Sequence, residues 1–280
     1  YPDTDPATEA AMKFFVFASV TGAIMIFGLS YWFGAAGSTL LADLPGMDTM
    51  PMAVIIGFVA VVIGLGYKAS LVPFHFWAPD AYEGGPLSIA AYLSVVPKIG
   101  ALFALAQVVR GLPPESGWTA VIAGLAVLTM TYGYLAALVQ DNVIRLLAYS
   151  SIAQSGYFLL GIVAVGSSKL ALTSVILFAA AYAAMNLGAF AVTAATGRVL
   201  DAFRGLGRAK PVTAIAMVVF LLSLVGIPPL AGFVGKFLLF AAGIDAQFTW
   251  LAVVAIANSV LSLAVYLRIV VPMYQQAATE

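Results

Sequence analysis

The sequence predicts an all-α, polytopic transmembrane helix bundle, and three observations carry that prediction. Of its 280 residues 63% are apolar and only 9% are charged, with a mean hydropathy of +1.06. A soluble domain carries ~25% charged residues, so this chain lacks the polar side chains to cover a water-facing surface. Apolar stretches of the ~20 residues that a membrane helix needs recur along the whole length. Short turn-forming strings separate them, none long enough to link soluble domains, so a single transmembrane domain of about eight helices is expected.

The predicted spans lie near 10–36, 51–71, 86–109, 117–139, 146–166, 169–196, 211–241 and 248–271. The first follows the polar opening YPDTDPAT, which has no initiator Met and no signal peptide before it; this reads as a fragment or processed product of a longer chain. Gly37-Ser38 and Pro45-Gly46 then break the chain before 51–71. That second span ends in Gly64-Leu65-Gly66-Tyr67-Lys68 and meets Pro73 five residues later, so it reads as interrupted, with 72–85 as a loop. Gly84-Gly85-Pro86 opens 86–109, Pro113-Pro114 precedes 117–139, and Gly205 to Lys210 precedes 211–241. Within 211–241 the string Gly226-Ile227-Pro228-Pro229-Leu230-Ala231-Gly232 sits mid-span and predicts unwinding, because proline lacks a donor and clashes with the preceding turn. Interrupted helices at membrane depth free carbonyls and helix ends, which is how many transporters build ion sites. Regions 51–109 and 211–271 each pair an interrupted, lysine-bearing helix with a following span, which suggests a structural repeat.

Eight spans place the 72–85, 140–145 and 197–210 loops and both termini on one side, with Arg145, Arg198, Arg204, Arg208, Lys210 and Arg268. Arg110 and Lys169 fall on the other, so the first side is expected to be cytoplasmic. Trp32, Trp118 and Trp250 suit interfacial belts.

Composition also excludes chemistry. The chain has no cysteine, which rules out disulfides, cysteine zinc sites and cysteine-held iron–sulfur clusters. One histidine, His75, argues against a haem or histidine-rich metal site. No phosphate-cradling motif is present, and zero net charge without a basic run argues against nucleic acid. Any redox chemistry is expected on a partner, with no cofactor in this chain.

The informative residues are four lysines in or beside apolar spans: Lys13, Lys68, Lys98 and Lys236. A lysine near the bilayer midplane costs upward of ~2.5 kcal/mol and is kept where it faces a bundle interior or wet cavity, typically on an ion or proton path. Lys98 lies midway along 86–109 behind Pro97, where snorkelling is difficult, and Lys236 lies one turn beyond the interrupted string. Lys68 sits near a helix end, where a titratable amine in an ion path and a snorkelling lysine are equally open. Lys13 lies four residues after Glu9, a spacing that favours a plain interfacial ion pair. His75, in Pro73-Phe74-His75-Phe76-Trp77, reads either as a proton relay between lysines or as an interface histidine bonded to backbone. Tyr149, Ser150, Ser151, Gln154 and Tyr157, with Thr131, Tyr132 and Tyr134 in the preceding span, either organise water or join packed helices. All twelve acids fall in predicted loops, tails or helix ends, so the buried lysines have no internal carboxylate in this reading. Either the amines titrate, or their acidic partners lie elsewhere in a larger assembly.

Three strings resemble the antiporter-like subunits of respiratory complex I: Gly64 to Pro86 (GLGYKASLVPFHFWAPDAYEGGP), Asn142 to Tyr157 (NVIRLLAYSSIAQSGY), and Gly226 to Phe237 (GIPPLAGFVGKF). Within that family, FWAPDAYEGGP and the Gly-Lys-Phe at Lys236 are similar to the subunit N branch of NADH:quinone oxidoreductase. The resemblance implies a fourteen-helix subunit of two inverted five-helix repeats, of which this sequence covers helices six to thirteen. It implies that Lys13, Lys68, Lys98 and Lys236 are the lysines of helices six, seven, eight and twelve. His75 and Tyr149 match polar-axis positions, and together these six residues form the expected proton path. The acid that pairs with Lys68 would then lie on the fifth helix, outside this sequence. Gln154 departs from relatives that carry histidine there. The resemblance further implies a multi-pass protein of a bacterial inner (plasma) membrane. It would bind other membrane and peripheral subunits of complex I, with FMN, iron–sulfur clusters and quinone held by those partners. Proton translocation coupled to electron transfer elsewhere is the expected function. A cation/proton antiporter subunit or a hydrogenase membrane subunit is the alternative, and inert structural lysines are a third reading.

Overall fold

A computed structural model describes residues 5–43, 51–112 and 117–275. The turn strings Pro45-Gly46 and Pro113-Pro114, and the opening four residues, lie outside the described residues. The helices are α1 (Asp5–Ala36), α2 (Pro51–Ala69), α3 (Trp77–Gly84), α4 (Leu87–Arg110), α5 (Trp118–Ala137), α6 (Val143–Val163), α7 (Ala171–Thr196), α8 (Leu206–Ala209), α9 (Pro211–Val225), α10 (Ala231–Asp245) and α11 (Thr249–Tyr274). No strand occurs among the described residues; the one bridge joins Asn142 to Val199. Among the described residues seven helices are long and apolar enough to cross a membrane, and α9 is a shorter apolar one. The chain is a polytopic all-α bundle, as its hydropathy predicts.

α6 is the axis of the bundle. Every residue from Val143 to Val163 except Arg145 and Tyr149 is buried. It starts at Asn142, whose Oδ1 accepts from the backbone N–H groups of Ile144 and Arg145 at 2.8 and 3.4 Å, a side-chain cap on otherwise unpaired donors. α5 packs closely on it because small residues meet at the contact: a Cβ on Gly133 would lie 2.6 Å from Ala153 N, and one on Gly156 2.5 Å from Met130 Cγ. α1 is peripheral and lies against α2 and α3, with Phe15, Ile26 and Phe27 exposed on its other face.

Two crossings of the bundle are made by pairs of helices. The Ala69 carbonyl at the end of α2 meets Ser155, while Glu83 in α3 meets Asn142 at the start of α6. Those two positions of α6 are about 20 Å apart at 1.5 Å per residue. The stretch 72–85 is therefore not an external loop, as the sequence suggests, but the second half of an interrupted crossing. α9 and α10 make the other. Leu224, at the end of α9, meets Gln154, and Asp245, at the end of α10, meets Ser168 beyond the end of α6. The two crossings run in opposite directions and break at the same level, the arrangement of inverted halves.

The predicted basic side is one end of the bundle. Arg268 donates to the Leu138 and Gln140 carbonyls and pairs with Asp141 at 2.8 Å. Arg204 donates to Gln275, and Arg198 to the Glu83 carbonyl. The tryptophans do not form a belt. Trp32 and Trp118 are buried, and the Trp32 indole N–H donates to the Val54 carbonyl at 3.2 Å between α1 and α2; only Trp250 is exposed. A ring N–H buried between two helices needs a partner, and the start of α2 supplies one.

Candidate functional site

The site is built where the two interrupted crossings break against α6. A helix that stops inside a bundle leaves carbonyls without their usual partner one turn on, and burial requires another. α6 supplies it at both breaks from consecutive residues. Ser155 Oγ donates to the Ala69 carbonyl at 2.8 Å, and Gln154 Nε2 to the Leu224 carbonyl at 2.9 Å. α5 helps at the first break, where the Val72 N–H donates to Thr129 Oγ1 at 3.1 Å. At the second, Gly226 adopts φ +94°, which a side chain would strain. Gly232 donates its N–H to Ser223 Oγ at 3.0 Å, and a Cβ on it would lie 1.8 Å from the Ser223 carbonyl oxygen.

Lys98 and Lys236 both reach this axis and are 1% and 2% exposed. Lys98 Nζ donates to Ser151 Oγ at 2.7 Å, and Ser151 in turn donates to the Ala148 carbonyl at 2.7 Å. The Tyr82 ring centroid lies 5.8 Å from the same Nζ. α7 fixes the turn of α4 before Lys98: Tyr182 donates to the Ser94 carbonyl and Asn186 to Ser94 Oγ. Lys236 Nζ donates to the Val225 carbonyl, freed by the end of α9, at 3.1 Å, and lies 3.9 Å from the Tyr157 ring centroid. It borders a cavity of about 180 Å³ with Gly226, Phe233, Phe237, Phe240 and Ser259. Among the described residues no carboxylate comes within 4.0 Å of either amine.

Polar side chains of α6 and α11 meet along the same stretch of α6. Ser150 Oγ and Tyr266 Oη are 2.6 Å apart, and Gln154 Nε2 reaches the same Tyr266 oxygen at 3.4 Å. Tyr157 donates to the Ala255 carbonyl at 3.0 Å and meets Ser259 Oγ at 2.9 Å. Hydroxyls can both give and take a proton, so this arrangement can pass one or orient water that does.

The other expected residues are not gathered there. His75 is buried at the first break, edge-on to Tyr132 with centroids 4.7 Å apart, and Tyr132 lies 6.4 Å from Tyr149. Among the described residues its Nδ1 has no hydrogen-bond partner within normal geometry. Tyr149 is half-buried on α6, and Lys68 is exposed on α2. Lys13 sits at the basic end, paired with Glu9 at 2.5 Å and with Asp80 at 2.6 Å. Arg145 bridges Asp80 and Glu83 at 2.9 and 2.8 Å, and Asn142 donates to Glu83 at 2.9 Å. This cluster ties α1, α3 and α6 together. Sequence reasoning passed over Asp80 and Glu83 as loop acids, though their i, i+3 spacing puts both on one helical face. It also passed over Tyr266, a lone phenol inside an apolar span.

With this geometry in hand the relatives are informative. The profile of the NADH:quinone oxidoreductase/Mrp antiporter transmembrane family matches residues 2–262, and the chain belongs to that family. It is 43% identical over 274 residues to NADH-quinone oxidoreductase subunit N of Mycobacterium sp. (strain JLS), covering 96% of this chain and 58% of that protein. It is also 43% identical over 287 residues to F(420)H(2) dehydrogenase subunit N of Methanosarcina mazei, covering 95% of this chain and 57% of that protein. The chain thus spans somewhat more than half the length of these curated relatives. In respiratory complex I from Thermus thermophilus with bound aureothin, one chain superimposes with a TM-score of 0.85 at 35% identity, covering 97% of this chain and 60% of that one. A chain of the Mrp complex from Dietzia sp. DQ12-45-1b superimposes with a TM-score of 0.89 at 26% identity, covering 99% of this chain and 52% of that one.

Proposed function

We propose that this chain is the proton-conducting part of a subunit N-type protein in the membrane arm of an NADH:quinone oxidoreductase, in a bacterial inner (plasma) membrane. The observation that carries the reading is the pair of buried amines, Lys98 and Lys236, with no carboxylate within 4.0 Å among the described residues, set against a hydroxyl-lined helix that braces two broken crossings. A buried amine with only neutral partners responds strongly to any charge that changes nearby. Charge movement elsewhere in the complex alternately loads and empties these amines, and Ser150, Ser151, Gln154, Tyr266 and bound water carry the proton between them. His75, Tyr132 and Tyr149 extend the path toward the first break, and Lys13 closes the basic end. Lys68 joins through a carboxylate outside this sequence. The chain acts as part of a translocase and has no redox centre of its own; FMN, iron–sulfur clusters and quinone belong to the partner subunits.

A second reading changes only the company. The equal likeness to a F(420)H(2) dehydrogenase subunit and the fold of an Mrp complex chain support another electron donor, or cation exchange, on the same lysines. Purification of the full-length protein from its native membrane separates them. The first reading expects flavin and iron–sulfur subunits in the same complex, and NADH-driven quinone reduction that acidifies inside-out vesicles. Quinone reduction driven by a donor other than NADH, or sodium–proton exchange without redox subunits, would replace it with the second.

A further inference from the structure

We propose that the aromatic face of Tyr157 is the counter-group that positions Lys236 and stabilises its charged form. This rests on the proton-path reading of Lys236 and names a positioning residue for it. Lys236 is 2% exposed, and among the described residues its ammonium meets one oxygen, the Val225 carbonyl at 3.1 Å. Among the described residues no carboxylate approaches within 4.0 Å. The remaining near partner is the Tyr157 ring, whose centroid lies 3.9 Å from Nζ, well inside the ~6 Å over which a ring face attracts a cation. Desolvation strengthens that attraction.

The ring is held in place independently of the lysine. Its hydroxyl donates to the Ala255 carbonyl and contacts Ser259 on α11, and its ring centroid lies 6.4 and 6.3 Å from those of Tyr134 and Phe178. Tyr157 therefore divides its tasks: the hydroxyl anchors the ring to α11, and the face meets the amine. Lys98 is built differently. A hydroxyl accepts from it at 2.7 Å and its nearest ring, Tyr82, is 5.8 Å away, so the same substitution there should matter less. A carboxylate would hold the lysine proton tightly; a ring face attracts the ammonium without becoming a base itself, which suits an amine that must also give its proton up.

The test uses the full-length protein in its assembled complex, with proton pumping and quinone reduction measured together across pH. Lys236→Ala is the control for the underlying reading. Tyr157→Phe keeps the face but loses the hydroxyl anchor, so it should retain clearly more pumping than Tyr157→Leu. Tyr157→Leu removes the face and should lower pumping on the order of tenfold, with a changed pH profile and intact quinone reduction. Because Tyr157→Leu removes buried volume and can fail to assemble, a second series places phenylalanine with one, two or three ring fluorines at 157. Fluorination weakens the face at nearly constant size, so pumping should fall stepwise. A flat fluorine series, or Phe as damaging as Leu, would overturn the role of the face while leaving Lys236 on the path. Normal pumping by Lys236→Ala would remove the reading on which the inference stands.

Discussion

At the residue scale, the two buried lysines are held by neutral groups, and each is sensitive to the loss of one. Among the described residues Ser151 is the single hydrogen-bond acceptor of Lys98. Leaving a buried polar group without its partner costs about 1–3 kcal/mol. Ser151→Ala should therefore lower the thermal midpoint of the assembled complex and reduce pumping more than quinone reduction, while Ser151→Thr keeps the acceptor and retains both. Differential scanning fluorimetry with paired pumping and reductase assays reads this out. The cluster at the basic end responds differently because water reaches it. Asp80→Asn removes one of the two carboxylates paired with Lys13 but leaves Arg145 its bond to Glu83, so a small lowering of the thermal midpoint is expected, smaller still at high salt. The mid-span lysines were legible from hydropathy because nothing near them in sequence could hydrate an amine. Lys68 was not: burial of one residue at a helix end depends on which face of the helix is covered, and that is set by neighbours distant in sequence.

At the element scale, the interrupted crossings depend on close backbone approach and on α6. A methyl group on Gly232 would collide with the Ser223 carbonyl oxygen at 1.8 Å, backbone against backbone, and neither side can yield. Gly232→Ala should cost about 3 kcal/mol or more and reduce assembly on a native gel, whereas Gly100→Ala, which meets no atom within 4 Å, should assemble normally. Gln154→Met leaves the Leu224 carbonyl buried without its donor and should destabilise by about 1–3 kcal/mol, read from the same thermal midpoints. The break at Gly226 to Gly232 could be read directly, since two prolines in an apolar run have few other meanings. The first crossing could not. Its second half, WAPDAYEG, carries two acids and looks like a loop to any hydropathy window. Those acids lie inside a helix because Lys13 and Arg145 reach them from α1 and α6, partners separated from them by 62 to 67 residues.

At the scale of the whole molecule, two antiparallel crossings break at one level against a single buried helix, with Lys236 on the second break and Lys98 bonded to α6 one turn from the first. Composition and span count made the bundle legible, and the motif strings made the family legible. The convergence on α6 was not, because it rests on contacts such as Gln154 with Leu224, 70 residues apart. The central claim is that Lys98 and Lys236 carry protons rather than hold helices together. The most direct test is the proton-to-electron ratio of inside-out vesicles in which the full-length protein carries Lys98→Ala, with assembly confirmed by native gel and quinone reduction followed in parallel. A lowered ratio in an intact complex that still reduces quinone is the predicted result. A wild-type ratio in that same intact complex would contradict the account and make the buried lysine structural.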